Sequence, residues 1–206
     1  MKFTVERKDL LRTMTAASSV VERRNTIPVL SNVKIDAQGD ILRFTATDLD
    51  VEITLDIKAA IHASGSITVG ASMLEDITKK LPDGAQVECE LTEHRFNVKS
   101  GRSRFALQSL PAEDFPDLAA GSMDGKFVMP ASTFRRLFAK AMFAVSTEET
   151  RYYLNGVFLH QAGGQLCGVA TDGHRLAKVW TDLPEGAVAA MRRPAPGPDL
   201  PSHPRR

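Results

Sequence analysis

Ala170-Thr171-Asp172-Gly173-His174-Arg175-Leu176 opens with the same three residues as Ala46-Thr47-Asp48-Leu49-Asp50-Val51-Glu52, and the two stretches lie 124 positions apart. Carried outward, this offset aligns residues 2–58 with 126–182 without a gap, and 13 of the 57 positions are identical. Lys2-Phe3 falls on Lys126-Phe127, Leu30 on Leu154, Val33 on Val157, Gly39 on Gly163 and Leu42 on Leu166. Chance gives roughly three or four identities in such a window, so the chain carries an internal duplication. The period is that of a whole small domain, longer than the roughly 20 to 50 residues of a solenoid unit.

The first copy opens with a predicted strand, Lys2 to Glu6, and a helix whose apolar positions Leu10, Met14, Ala17 and Val21 recur at spacings of three and four. Strands are predicted over Val29–Asp36, Ile41–Thr47, Val51–Ala59 and Ser66–Gly70. A second helix is expected from Ser72, with Ser72 and Glu75 as a capping box and Met73, Leu74, Ile77 and Leu81 as the stripe. Strands Gln86–Leu91, Arg95–Lys99 and Arg102–Leu110 complete the unit. A helix and four strands, given roughly twice, predict an α+β domain with two helices side by side on antiparallel sheet. The second copy predicts a strand over Lys126–Met129, then a helix starting at Pro130 with Phe134, Phe138, Ala141 and Val145 on its buried stripe. Strands Tyr153–His160, Gln165–Thr171 and Arg175–Thr181 follow. The expected organisation is a complete domain over 1–118, a linker over 119–125, the first half of a second domain over 126–186 and an aberrant or disordered tail over 187–206. That tail holds five prolines and four arginines, continues no strand or helix period, and reads as disordered or as a shifted reading frame.

Composition excludes several classes. Cys89 and Cys167 are the only cysteines and neither has a Cys or His cluster near it, so neither a disulfide framework nor a zinc site is signalled. The N-terminus has no apolar signal-like core and no apolar run reaches about 18 residues, which leads to the expectation of a cytoplasmic protein. The net charge of +1 conceals an uneven distribution: residues 187–206 carry +3 from four arginines and Asp199, which leaves −2 on residues 1–186. A sequence-reading DNA binder usually carries a clear positive excess, so a nucleic-acid role here has to rest on a local basic face.

Asp172 and His174 are spaced as an acid/base pair could be, and a hydrolase built on them is one reading. The repeat opposes it, because Asp48 has no histidine after it; the shared aspartate is expected to accept backbone N–H bonds in an inter-strand turn. No nucleophile, metal-ligand set or phosphate loop stands nearby, and no cofactor or metal is expected. Arg12 and Arg136 take the same place on the two equivalent helices, away from the apolar stripe, with Lys8, Lys79, Lys80 and Lys140 able to share that side. Arg24 and Tyr152-Tyr153, in turns after these helices, are further candidates for phosphate or base contact.

Five segments together resemble the bacterial replicative sliding clamp family, the beta subunit of DNA polymerase III: residues 1–7, Ser100-Gly101-Arg102-Ser103-Arg104-Phe105, Leu110-Pro111-Ala112-Glu113-Asp114-Phe115-Pro116, Arg151-Tyr152-Tyr153-Leu154-Asn155-Gly156 and Ala170 to Leu176. The resemblance runs from Met1 to about Gly186. It implies a DNA-clamp fold and a non-catalytic processivity factor, with three domains per chain and two chains per ring. Helices would line the hole around duplex DNA, which is held irrespective of sequence. It implies that Arg24, Tyr152 and Tyr153 lie near DNA, and the repeated basic surface carrying Arg12 and Arg136 is expected to join them. Leu154, Thr171, Gly173, His174, Arg175 and Leu176 would form one wall of the cleft that receives peptide motifs of polymerases and the clamp loader. Set against that pattern, 206 residues amount to about one and a half domains, so the chain reads as truncated and is expected not to close a ring. A regulatory or non-functional fragment that binds clamp partners without encircling DNA is the alternative.

Overall fold

The computed structural model of the chain describes residues 1–21, 27–116 and 126–187, which form parts of two compact units, Met1–Ala119 and Ala120–Arg206. Arg24, the predicted linker and all but the first residue of the predicted tail lie outside the described residues. In the first unit, strand β1 (Lys2–Glu6) leads straight into helix α1 (Arg7–Ser18), followed by strands β2 (Asn32–Gln38), β3 (Ile41–Thr47), β4 (Glu52–Lys58), β5 (Ala60–Ala63) and β6 (Gly65–Gly70). Helix α2 (Ala71–Lys80) and strands β7 (Gln86–Thr92), β8 (Arg95–Ser100) and β9 (Ser103–Pro111) complete it.

All strand pairs are antiparallel and the nine strands run in the order β4-β3-β2-β6-β9-β8-β7-β1-β5. The two end strands, β4 and β5, are consecutive in the chain and only Ala59 separates them. A flat sheet of this size would hold its edges roughly 38 Å apart at about 4.8 Å per strand, whereas one intervening residue spans no more than about 7 Å. The sheet therefore curls until its ends meet at Ala59.

Helix α1 packs on α2 and on β3 and β4, while α2 packs on β2 and β6. Leu10, Thr13, Met14 and Ala17 of α1 and Ala71, Leu74, Ile77 and Thr78 of α2 are buried, and Phe3, Phe44 and Phe96 fill the space beneath them. Val21, which closes the predicted α1 stripe, is also buried. Arg7 at the start of α1 joins the helices: its Nε donates to the Thr78 carbonyl and an Nη to the Lys79 carbonyl, each at 3.1 Å, and it pairs with Asp83. These carbonyls belong to the last turn of α2, where intrahelical partners run out and the helix dipole favours a cation. Glu75 is 5% exposed, yet its carboxyl lies below its ordinary pKa: burial raises it, and the Lys79 ammonium 2.8 Å away together with hydrogen bonding from Thr15 and Ser18 outweighs burial.

Several expectations are corrected. Ser72 does not cap α2, whose N-cap is Gly70 without any side-chain cap; Glu75 turns inward to Lys79 instead. Pro28–Ser31 is a 3-10 turn ahead of β2 rather than part of the strand, as expected of proline at the first helical position. A further strand, β5, follows the predicted Val51–Ala59 stretch, and β4 and β5 take opposite ends of the sheet order.

The second unit has helix α3 (Ala131–Ala141) packed on a three-stranded antiparallel sheet, β10 (Phe158–Ala162), β11 (Gln165–Thr171) and β12 (Leu176–Asp182), in that order. Leu137, Ala141, Ala144, Leu166, Ala170, Ala177 and Val179 form its core. Residues 126–130 are not a strand, against expectation. In the first unit β1 is held by β7 and β5, and no counterparts of those strands occur among the described residues of the second. Phe134 is 48% exposed where its counterpart Leu10 is 1% exposed. The stripe of α1 is shared between the sheet and α2, whereas α3 has no companion helix among the described residues. Residues 149–154 form a 3-10 segment, which delays β10 to Phe158 from the predicted Tyr153.

Removing the Arg7 side chain leaves two carbonyls of α2 without a charged donor. Arg7→Ala is expected to destabilise the first unit by about 1 to 3 kcal/mol, read as a lowered urea midpoint at unchanged slope. Asp83→Ala, which removes only a surface pair, is expected to cost at most about 1 kcal/mol.

Candidate functional site

The same hydrogen-bonded turn follows β3 and β11. In the first unit the Thr47 hydroxyl donates to the Val51 carbonyl at 2.9 Å and accepts from the Leu49 N–H at 3.0 Å. Asp48 Oδ1 accepts the N–H groups of Asp50 and Val51 at 2.9 and 2.7 Å. In the second unit Thr171 donates to the Arg175 carbonyl at 2.7 Å and accepts from Gly173 at 3.1 Å. Asp172 Oδ1 accepts from His174 and Arg175 at 3.0 and 2.9 Å. The third residue is left-handed in both, Leu49 at φ 81° and Gly173 at φ 90°. Glycine occupies that conformation without strain and leucine does not.

What the turns display differs. Gly173, His174, Arg175 and Leu176 are exposed, and Leu176 is 58% exposed. Thr171 and Leu154 are half-buried. A Cβ built at Gly173 would lie 3.2 Å from a guanidinium nitrogen of Arg151, so that arginine adjoins the turn. Leu154 comes from the same 3-10 segment, Glu149–Leu154. One further residue belongs here that the motif reading passed over, Phe143, beside Asp172, which was expected to serve the turn. The Phe143 ring lies 5.8 Å from the Arg175 guanidinium, and Asp172 Oδ2 accepts from Arg175 Nε at 2.8 Å. Phe143 follows α3 in a 3-10 turn, Met142–Ala144, and could have been found by asking which exposed aromatic replaces Ser19 of the first copy.

Asp172 is committed to the turn. Its hydrogen bonds from the backbone of Arg175 and His174, with the Arg175 side chain, hold its carboxyl down to about 2. Asp48 is lowered for the same reason, by the N–H groups of Val51 and Asp50. A carboxylate so occupied has little basicity for proton abstraction, and it meets the backbone of His174 rather than the ring. Among the described residues no group of three or more His, Cys, Asp or Glu side chains could hold a metal ion. No helix among them is long and apolar enough to cross a membrane.

Arg12 and Arg136 are both exposed on the polar sides of α1 and α3. Lys8 lies one turn before Arg12 and Lys140 one turn after Arg136. Arg136 donates to the Trp180 carbonyl at 3.3 Å, while Lys79 of α2 is engaged by Glu75. Tyr152 and Tyr153 are 79% and 72% exposed and meet edge to face at 5.9 Å, so neither is a core residue.

Helices laid on antiparallel sheet, given twice in one chain with the same turn in each copy, form a duplicated α+β architecture, and the solved structures it resembles are sliding clamps. Residues 1–119 match the family description "DNA polymerase III beta subunit, N-terminal domain", and residues 128–191 match "DNA polymerase III beta subunit, central domain". The beta sliding clamp of Caulobacter vibrioides is 48% identical over 194 residues, covering 91% of this chain and 52% of that one. The Escherichia coli K12 clamp is 38% identical over 198 residues, covering 94% and 54%. Among solved structures, Caulobacter crescentus pol III beta superposes with a TM-score of 0.85 at 48% identity, over 91% of this chain and 52% of that one. A Bartonella birtlesii sliding clamp bound to griselimycin gives 0.87 at 43% identity, over 91% and 51%. The chain belongs to the DNA polymerase III beta subunit family, the bacterial sliding clamps. It spans about half the length of the curated relatives it matches.

The depressed Asp172 carboxyl makes the turn acid-sensitive in a defined window. It contributes its full stability above the unfolded value near 3.8 and loses it as pH falls toward about 2. Trp180, the single tryptophan, lies on β12 just beyond the turn. Acid titration of its fluorescence is expected to show a transition between these limits that Asp172→Asn flattens.

Proposed function

We propose that the chain supplies DNA-facing helices and one wall of a peptide-docking cleft to a sliding clamp that holds the replicative polymerase on duplex DNA. The observation that carries this reading is the order of the two family matches along a chain whose two copies share one turn but display different residues on it. On this reading Arg12, Arg136, Arg24, Tyr152 and Tyr153 contact DNA. Leu154, Thr171, Gly173, His174, Arg175 and Leu176 receive peptide motifs of polymerase and clamp-loader subunits. On this reading the chain acts as a non-catalytic platform organised as domains over 1–118 and 126–186, the ring of two chains being that of the full-length family.

The charge pattern supports contacts that are weak one by one. Lys8, Arg12 and Lys140 have no carboxylate partner among the described residues, whereas Lys2, Arg43 and Lys99 pair across strands with Glu90, Asp56 and Glu88. A few screened phosphate contacts allow sliding where a strongly basic surface would not.

A second reading, a fragment that binds clamp partners without encircling DNA, is favoured by the chain's spanning about half of its relatives. Retained griselimycin binding without processive primer extension would select it. For the DNA contacts, Arg12→Ala and Arg136→Ala are each expected to weaken duplex binding irrespective of sequence. Each should also make the slope of log K against log salt shallower by about 0.9 per lost phosphate; an unchanged slope in both variants would remove these residues from the interface.

A further inference from the structure

Arg175 is restrained on two sides. Asp172 accepts its Nε through Oδ2 at 2.8 Å and its backbone N–H through Oδ1 at 2.9 Å, so one carboxylate fixes both ends of the residue. The Phe143 ring lies 5.8 Å from the guanidinium carbon, within the range of a cation–π contact. The duplication offers an internal control. The positions of Phe143 and Arg175 hold Ser19 and Val51 in the first copy, whereas the Thr-Asp pair is common to both. Ser19 there donates to the Ala16 carbonyl at 2.7 Å. The turn thus forms without the aromatic and the cation, and both are present in the one copy and missing from the other.

We infer that Phe143 and Asp172 are positioning residues that hold the Arg175 guanidinium in one orientation on the docking wall. This rests on the peptide-docking reading above. A guanidinium offers five donors in a planar fork. With Nε occupied, the Nη donors have no partner among the described residues, and the side chain is 59% exposed. They are available to a carboxylate or a backbone carbonyl of a docked peptide. Holding the arginine beforehand removes the ordering cost that a free side chain would meet on binding. The surroundings fit a peptide with both apolar and acidic groups. Phe143 and Leu176, both exposed, offer apolar surface beside the turn, and the Arg175 Nη donors offer the charge.

Two measurements on the 206-residue chain test the inference. In the first, the Arg175 Nε–H resonance is followed by NMR: the unaltered chain should show slowed exchange and a ring-current shift. Phe143→Leu should abolish the shift with the amide spectrum otherwise preserved, and Phe143→Tyr should keep it. Asp172→Asn should speed the exchange. An Nε–H signal indifferent to Phe143→Leu and Asp172→Asn would overturn the inference. In the second, griselimycin serves as the probe. Phe143→Leu should weaken its binding roughly two- to fivefold, the size of an exposed cation–π contact. The variant carrying both Phe143→Leu and Arg175→Gln should be no weaker than Arg175→Gln alone. Weakening by Arg175→Gln with no effect of Phe143→Leu would also overturn it. If the unaltered chain does not bind griselimycin, the docking reading fails, and the NMR measurement still decides whether Phe143 and Asp172 hold the arginine.

Discussion

Ala59 is the whole connection between the two ends of a nine-stranded sheet. That constraint shapes the first unit. With the end strands brought together by one residue, the sheet curls, and two amphipathic helices lie side by side against its strands. Arg7 then reaches from the first turn of α1 to the last carbonyls of α2, tying the helix of one half-unit to that of the other. The second unit, as far as it is described, repeats the opening half of this plan. Its helix accordingly has sheet on one side and no second helix on the other, which is why Phe134 is exposed where Leu10 is buried.

Local pattern was legible in the sequence where clear stop signals bound a strand. The limits of β1, β3 and β11 agree with expectation, because each ends at a glycine-containing turn, a helix start or the Thr-Asp turn. What depended on distant partners was not legible. Residues 126–129 carry the same Lys-Phe pair as β1, yet a strand needs neighbours to bond with, and no local signal reveals whether they are present. Ser72 and Glu75 have the spacing of a capping box, but the helix starts at Ala71 after Gly70, and Glu75 pairs with the Lys79 ammonium one turn on. The site shows the same division. The Asp172 turn followed from comparing the copies, whereas Phe143 lies 32 positions before Arg175, and only the fold brings its ring beside the guanidinium.

Electrostatics separates structural charge from available charge. Three of the six ion pairs among the described residues of the first unit cross between neighbouring strands, as between Arg43 and Asp56, where two bonds of 2.8 Å form a fork. Exposed pairs of this kind contribute little to stability, but they withdraw cations from any interaction with an anionic ligand. Lys8 and Arg12 on α1, and Arg136 and Lys140 on α3, are among the cations left without a carboxylate partner among the described residues, so each helix taken by itself presents a local basic face although residues 1–186 carry a net charge of −2.

The duplicated turn shows how one scaffold can serve two purposes. Its hydrogen bonds come from a threonine hydroxyl and an aspartate carboxylate and end on backbone groups, so the side chains of the next three positions are not needed to form it. Those positions are therefore free to change. The first copy places Leu49 in the left-handed region, at the cost of strain; the second uses glycine there, which relieves the strain and leaves room for Arg151 at the turn. A cation two positions further on is held by the same aspartate that builds the turn, so an exposed guanidinium is added to a structural motif without altering the bonds that fold it.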